Sequence, residues 1–345
     1  KPSLYKMATI MFTLATLKKL VNIRIIFGHY HYTEYSKLVI NFIRLHCCII
    51  NVGLCLFYFT LFPNPLILYV GYTFSAVELL LNNILSSIFR GKYLKKLYVL
   101  VEKSQKMLNT YDWSLTYFFY ILFILFFIYR VIVVFIYSGF LITDPCLWFL
   151  NFVLFSYCVN YFSKLVVFDS VYQQMKQLRI RFESKYINVN IVERNNIKDW
   201  IEHIRTYLLV YDNLIQFMET MDFEMQSWVI IDSLPYLRDL TTAPVIATLP
   251  ASIYTVLTIC LPAVFVELTA REAEIIQESM TRNLLSTKDQ EAINEIQHGL
   301  DYLKLRPFKY NIFRLMQVNA NLPLKFISLS IMYIIIIAQL FSFKE

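Results

Sequence analysis

Apolar residues fall along this chain in long uninterrupted runs, and the polar positions collect between the runs instead of alternating with them. The clearest run closes the chain. Residues 322–343 read LPLKFISLSIMYIIIIAQLFSF, and from Phe326 to Phe343 none is charged. At a helical rise of ~1.5 Å per residue that stretch covers about 27 Å, close to a hydrocarbon core of ~30 Å, so it predicts a membrane-spanning helix. Gln339 is the strongly polar side chain deep in the run. An amide among isoleucines is costly to turn toward lipid, so it should face a partner helix or water.

The same pattern predicts spans at residues 39–62 and 66–89, joined into an antiparallel hairpin by Pro63-Asn64-Pro65. Two more, 113–141 and 146–168, turn at Thr143-Asp144-Pro145, and another lies at 244–268. Helical extensions outside the bilayer are expected at 90–112 and 169–225. From Tyr172 to Lys185 there is no Gly or Pro, so the fourth span should run on as a helix. Trp200, Ile204, Leu208 and Tyr211 then recur at helical spacing and mark one apolar face. The segment 269–321 is too charged to be anything but aqueous. Within it Thr287 and Gln290 fit a capping box, Ala292, Ile296, Leu300 and Leu303 form a stripe, and Pro307 stops the helix.

Residues 226–242, QSWVIIDSLPYLRDLTT, are the ambiguous run. Apolar gains of roughly −0.5 kcal/mol each nearly cancel against Asp232, at about 2.5 to 3.5 kcal/mol, with smaller terms from Arg238 and Asp239. A crossing here gives seven spans and an external C-terminus. Without one, the C-terminus is internal and 269–321 is external.

Charge sets the direction. Residues 1–38 hold Lys1, Lys6, Lys18, Lys19, Arg24 and Lys37 against Glu34. The stretch 90–112 holds six basic residues against Glu102 and Asp112, while the turn between the first two spans carries no charge. The positive-inside rule makes both basic stretches cytoplasmic and 1–38 a cytoplasmic N-terminal segment. The formal net charge of +7 is spread between apolar runs, not along one face, which argues against a nucleic-acid partner. Composition agrees with a multi-span protein: 57% of the 345 residues are hydrophobic and 17% charged, against about a quarter charged in soluble domains. Cys47, Cys48, Cys55, Cys146, Cys158 and Cys260 lie almost entirely within apolar runs, so they read as packing residues and not as a disulfide framework.

Catalytic patterns are absent: there is no GxSxG, HExxH, P-loop or Gly-rich dinucleotide fingerprint. His29-Tyr30-His31 is the nearest approach to a metal cluster and reads as a solvated pair. No enzyme, cofactor or metal is expected. What remains is polar chemistry inside the membrane. Glu78 lies mid-span in the second run and Arg130 past the middle of the third, positions where a lone charge calls for a partner or a wet cavity. Tyr72, Tyr137, Trp148, Phe152 and Tyr254 add aromatic rings in the outer halves, the composition of an organic-ligand pocket. Snorkelling charges and packing aromatics are the structural alternatives.

In the last run the signature Thr-Tyr, five hydrophobic residues, Gln-Phe is matched as Met332-Tyr333, Ile334 to Ala338, Gln339-Leu340. Tyr333 and Gln339 keep the spacing, while Met and Leu replace Thr and Phe. Tyr207-Leu208-Leu209-Val210-Tyr211-Asp212-Asn213-Leu214, Tyr302-Leu303 and Arg306-Pro307-Phe308 add to the match. On these residues the chain resembles an insect gustatory receptor, most similar to the divergent, bitter-type lepidopteran branch. The resemblance implies an all-α polytopic membrane protein of the insect chemoreceptor channel fold, with seven transmembrane helices, N-terminus inside and C-terminus outside. It also implies a homo- or heterotetramer with other gustatory receptors, in the plasma membrane of gustatory receptor neurons, forming a cation channel opened by a small-molecule tastant. Residues 226–242 would then cross, 269–321 would be a cytoplasmic anchor segment, and 322–343 would line the pore. Gln339 and Leu340 would form the constriction, with Tyr333 beside it. A G-protein-coupled type of receptor or a transporter are the rivals. The internal N-terminus and the missing NPxxY oppose the first, and only six glycines and no internal repeat oppose the second. The short, charged fifth span also fits a truncated, non-functional family member.

Overall fold

Two helices of 42 residues set the dimensions of the molecule. Each is ~63 Å long, about twice the hydrocarbon thickness, so a helix that crosses the membrane also projects some 30 Å beyond it. The structure, a computed structural model, describes residues 22–30, 36–61, 80–81, 83–84, 92–108, 121, 124–125, 128, 131–132, 145–186, 197–220, 245–312, 316–317, 321, 328, 332, 335 and 339. Among the described residues the continuous helices are, in chain order, α1 (Lys37–Leu61), α2 (Lys92–Leu108), α3 (Pro145–Tyr186), α4 (Ile197–Thr220), α5 (Val245–Ser286) and α6 (Gln290–Leu305). Strands β1 (Asn311–Ile312) and β2 (Met316–Gln317) pair antiparallel, with Asn311 opposite Gln317.

The continuity of α3 follows from its sequence, since no Gly or Pro interrupts it after Pro145. α5 runs on as one helix past residue 268, where the predicted apolar span stops. The rise in charge there marks the end of the apolar run but not of the helix, because 269–286 is built from residues that form helix well irrespective of charge. Among the described elements α3 and α5 pack on each other more extensively than any other pair, and α2, α4 and α6 close around them. Leu165, Met175 and Phe182 of α3, Phe265 and Met280 of α5, Ile204 and Leu214 of α4, Val101 of α2 and Ile296 of α6 share one core.

Ala292, Ile296, Leu300 and Leu303 of α6 are all buried in that core. The cap differs from the expected one. Asp289, not Thr287, caps α6, its carboxylate accepting from the backbone N–H of Glu291 at 3.0 Å and of Ala292 at 3.1 Å. Thr287 instead donates to the Asn283 carbonyl at 2.7 Å and so closes α5. Ion pairs tie the helices at the rim. Arg179 of α3 bonds Glu272 of α5, and Arg205 of α4 donates to both oxygens of Glu295 of α6, at 2.8 and 3.0 Å. That donation holds the Glu295 carboxyl below the usual carboxylate range.

A narrow void remains where four helices converge, bounded by Leu178, Phe182, Tyr207, Leu208, Met280 and Leu303. Gly299 of α6 sits beside it. A Cβ there would lie 2.5 Å from Met280 Cε and 3.4 Å from Leu208 Cδ1. The closer atom is the tip of a flexible side chain that already borders the void, so it can retreat. Gly299→Ala is therefore expected to be neutral or stabilising by up to about 1 kcal/mol, the helix propensity gained. Gly299→Leu overfills the same space and should cost about 1–3 kcal/mol. Thermal unfolding of the detergent-solubilised protein checks both, and a clear loss for the alanine variant would show that Met280 is held in place.

Among the described residues of the membrane portion, apolar stripes are exposed. Leu38, Phe42, Leu45, Ile49, Val52 and Leu56 of α1 are exposed along one stripe, as are Ile121, Ile124, Leu125, Ile128 and Ile132. Lipid or partner helices satisfy such faces, and water does not. Among the described residues two helices are long and apolar enough to cross a membrane, Lys37–Leu56 and Asn151–Ser184. Cys47, Cys48, Cys55, Cys158 and Cys260 are free thiols.

Candidate functional site

Residues 22–30 enter the helix assembly and turn inside it. The turn is closed by backbone bonds from Phe27, Gly28 and His29 to the carbonyls of Arg24 and Ile25, at 3.0 to 3.1 Å. It requires Gly28, whose φ is +83°, a region that disfavours a side chain. Space forbids one as well, for a Cβ would stand 3.0 Å from Ile50 Cγ2 and 3.3 Å from Asn83 Nδ2. Ile50 lies thirteen residues into α1, ~20 Å from its start, so the turn reaches well into the membrane portion.

Arg24, His29 and Tyr30 of this segment, and Asn83 beside it, meet polar partners. Arg24, 1% exposed, donates from Nη2 to Asn160 Oδ1 at 2.9 Å. His29 Nε2 and Ser156 Oγ share a hydrogen bond of 3.0 Å. Arg44 Nε donates to the Tyr30 hydroxyl at 3.3 Å and lays its guanidinium 5.4 Å from that ring's centre. Asn83 donates to Asn51 at 2.5 Å. His29 is therefore buried and not solvated as its sequence neighbourhood suggested. Burial of both Arg24 and His29 is affordable because α3 carries Ser156 and Asn160 among its apolar residues. Those embedded polar residues, with a lone glycine before His29, are the signal that sequence reasoning passed over.

Phe152 is the predicted ligand-site residue whose side chain is described, half-buried on α3 with its ring centre 5.3 Å from that of Phe27. Trp148 and Tyr254 lie in the N-terminal parts of α3 and α5. Tyr72, Glu78, Arg130, Tyr137, Tyr333, Leu340 and the run 226–242 lie outside the described residues. In the last run Ser328, Met332, Ile335 and Gln339 are helical and exposed, at spacings of four, three and four, and so share one open face. Among the described residues no group of three or more His, Cys, Asp or Glu could hold a metal ion.

Two segments quoted separately from the sequence come together beneath the membrane portion. Asp212 Oδ1 of α4 accepts from the Tyr302 hydroxyl and from Arg306 Nη1, each at 2.5 Å. The Tyr211 hydroxyl donates to the Arg306 carbonyl at 2.9 Å, and Glu219 lies 3.5 Å from Arg306 Nη2. Burial pushes the Tyr211 phenol well above the ordinary tyrosine range, which keeps it a donor. Arg306 is the C-cap of α6, so this clamp fixes the point where the chain leaves α6 for the last run. Beyond it Tyr310, 2% exposed, meets Phe168 of α3 edge-on, ring centres 5.8 Å apart at 73°.

No family model matches the chain, and no curated protein does. Solved structures do. The insect olfactory receptor OR5 from Machilis hrabei superposes with a TM-score of 0.66 at 12% identity, over 94% of this chain and 97% of that one. The same receptor in complex with eugenol gives 0.55 at 13% identity over the same shares. The chain has the all-α fold of that receptor, over nearly the full length of both.

Proposed function

We propose that this chain is a receptor of gustatory type, working as a ligand-gated, non-selective cation channel that a small organic tastant opens. The observation that carries the reading is the open face of Ser328, Met332, Ile335 and Gln339 on the last helix, in a chain with the fold of an insect olfactory receptor. An amide at membrane depth is costly unless it meets water or a polar partner. A ring of last helices around an aqueous axis supplies both. Four chains, identical or mixed, would place four Gln339 amides where they replace part of a cation's hydration, with Leu340 narrowing the path and gating by dewetting. Tyr333 lies six and seven residues before them in the same run, about two turns.

The topology that goes with this reading has residues 1–38 entering from the cytoplasm, 226–242 crossing, and the C-terminus outside. The bundle of α2, α4, α6 and the inner halves of α3 and α5 is then the cytoplasmic anchor. Tyr72, Glu78, Arg130, Tyr137, Trp148, Phe152 and Tyr254 line the tastant pocket in the outer halves of the spans. That the related fold accommodates eugenol supports a small organic ligand. Opening requires tighter binding to the open than to the closed arrangement, and the population shift is limited by that difference.

The test is cation current from the chain expressed in a heterologous cell and challenged with a panel of plant compounds including eugenol. Gln339→Ala and Leu340→Ala are each expected to change unitary conductance or resting current several-fold. Unchanged currents in both variants remove the assigned constriction. Terminal epitope tags on intact cells read the topology independently: an accessible N-terminal tag overturns it.

A further inference from the structure

α3 is one unbroken helix from its outer end, where Phe152 lies, to the bundle core at Phe182. Any displacement of its outer half must therefore reach its inner half. Phe168 stands about 35 Å along that helix from Pro145, at the depth where the bundle begins. Its ring is buried, and the ring set edge-on against it belongs not to another long helix but to Tyr310, in the connection between α6 and the last run.

That connection, residues 306–321, is constrained on both sides of Tyr310. Before it, Arg306 is clamped to α4 through Asp212 and Tyr211, Pro307 restricts the backbone, and Phe308 is buried in the core. After it, Asn311 and Ile312 enter the two-residue ladder with Met316 and Gln317. The last run starts shortly afterwards. A chain held at Arg306, and paired again where Asn311 and Ile312 meet Gln317 and Met316, moves at its far end chiefly by pivoting, and between these two points Tyr310 meets α3.

We infer that the Phe168–Tyr310 ring pair is the joint through which a shift of α3 moves the last helix, with the Asp212–Tyr302–Arg306 clamp as its fixed point. The inference rests on the channel reading above and adds the route by which that channel is gated. Both residues are positioning residues, since neither touches ion or ligand. Closely packed aromatic pairs contribute beyond their buried area, and packed cores switch between discrete arrangements instead of deforming smoothly. Loosening the pair therefore alters the balance between closed and open arrangements without altering the pore.

Single-channel recording in planar bilayers tests this, with Na⁺ and K⁺ as current carriers and eugenol as the added compound. Phe168→Leu, Tyr310→Leu and the double variant are compared with the unsubstituted chain, and open probability is read per channel, so expression level drops out. Each single variant is expected to change open probability about five- to tenfold at unchanged unitary conductance. The double variant should change it no more than the larger single one, the non-additivity of partners in one contact. Effects that multiply in the double variant, or open probabilities within twofold of the unsubstituted chain, overturn the joint while leaving the channel reading intact. An unsubstituted chain that conducts no cations overturns the channel reading and the joint with it. Should the leucine variants not fold, Phe168→Met and Tyr310→Met remove the ring in favour of a flexible apolar side chain and carry the same comparison.

Discussion

Gly28→Val should nearly eliminate folded, monodisperse protein from detergent extracts. Two costs act together at this position. A β-branched residue at φ +83° is strained by roughly 1–2 kcal/mol or more. Its Cβ would also stand 3.0 Å from Ile50 Cγ2, with two methyl groups still to place between α1 and Asn83. Overpacking of that kind typically costs about 1–3 kcal/mol. Their sum, roughly 2–5 kcal/mol, is a large share of the 5–15 kcal/mol by which folded proteins are usually stable. Gly53 on the same α1 is the control, since no atom lies within 4 Å of a Cβ built there. Gly53→Val should extract and elute normally by fluorescence-detected size exclusion. Equal behaviour of the two variants would mean that residues 22–30 do not turn inside the membrane portion. Arg24 and His29 should share the fate of the turn, because their bonds to Asn160 and Ser156 exist only while it holds.

Phe182→Ala is the second large effect, at about 3–5 kcal/mol of lost stability. Phe182 is 1% exposed, packs edge-on against Tyr207 with ring centres 5.7 Å apart, and borders the void between α3, α4, α5 and α6. Its removal enlarges a space that four helices already fail to fill, and ion pairs at the rim, Arg179–Glu272 and Arg205–Glu295, resist collapse into it. Phe182→Leu retains most of the volume and should lose much less. Melting temperature by intrinsic fluorescence separates them. A small loss for the alanine variant, with the leucine variant indistinguishable from it, would show that the bundle can close over the gap.

These two positions differ in how far they could be read beforehand. Phe182 falls in the Gly- and Pro-free stretch that extends the fourth span, and a helix with apolar residues recurring along it must bury one face. The stripe Ala292, Ile296, Leu300 and Leu303 was legible for the same reason, and it is buried. Gly28 gave little sign, because a glycine's use depends on what approaches it. The expected cap at Thr287 shows the limit of local pattern. Thr287 and Asp289 both suit an N-cap, and the path from α5 to α6 assigns one to each helix. The charge step at residue 268 leaves the length of α5 open, as polarity reports the solvent around a helix and not its end.

By itself the sequence determined what is short-range: which stretches are helical, which are apolar enough to enter a bilayer, and that Gln339 stands alone among isoleucines. Period and polarity are properties of neighbouring residues, so they can be read along the chain. Tertiary structure alone decided the pairings: Arg24 with Asn160, 136 residues apart, His29 with Ser156, 127 apart, and Arg306 with Asp212, 94 apart. It also set Tyr310 against Phe168. Contacts across such separations depend on how amphipathic faces of whole helices share one core, and no local pattern encodes which distant partner a buried group will meet.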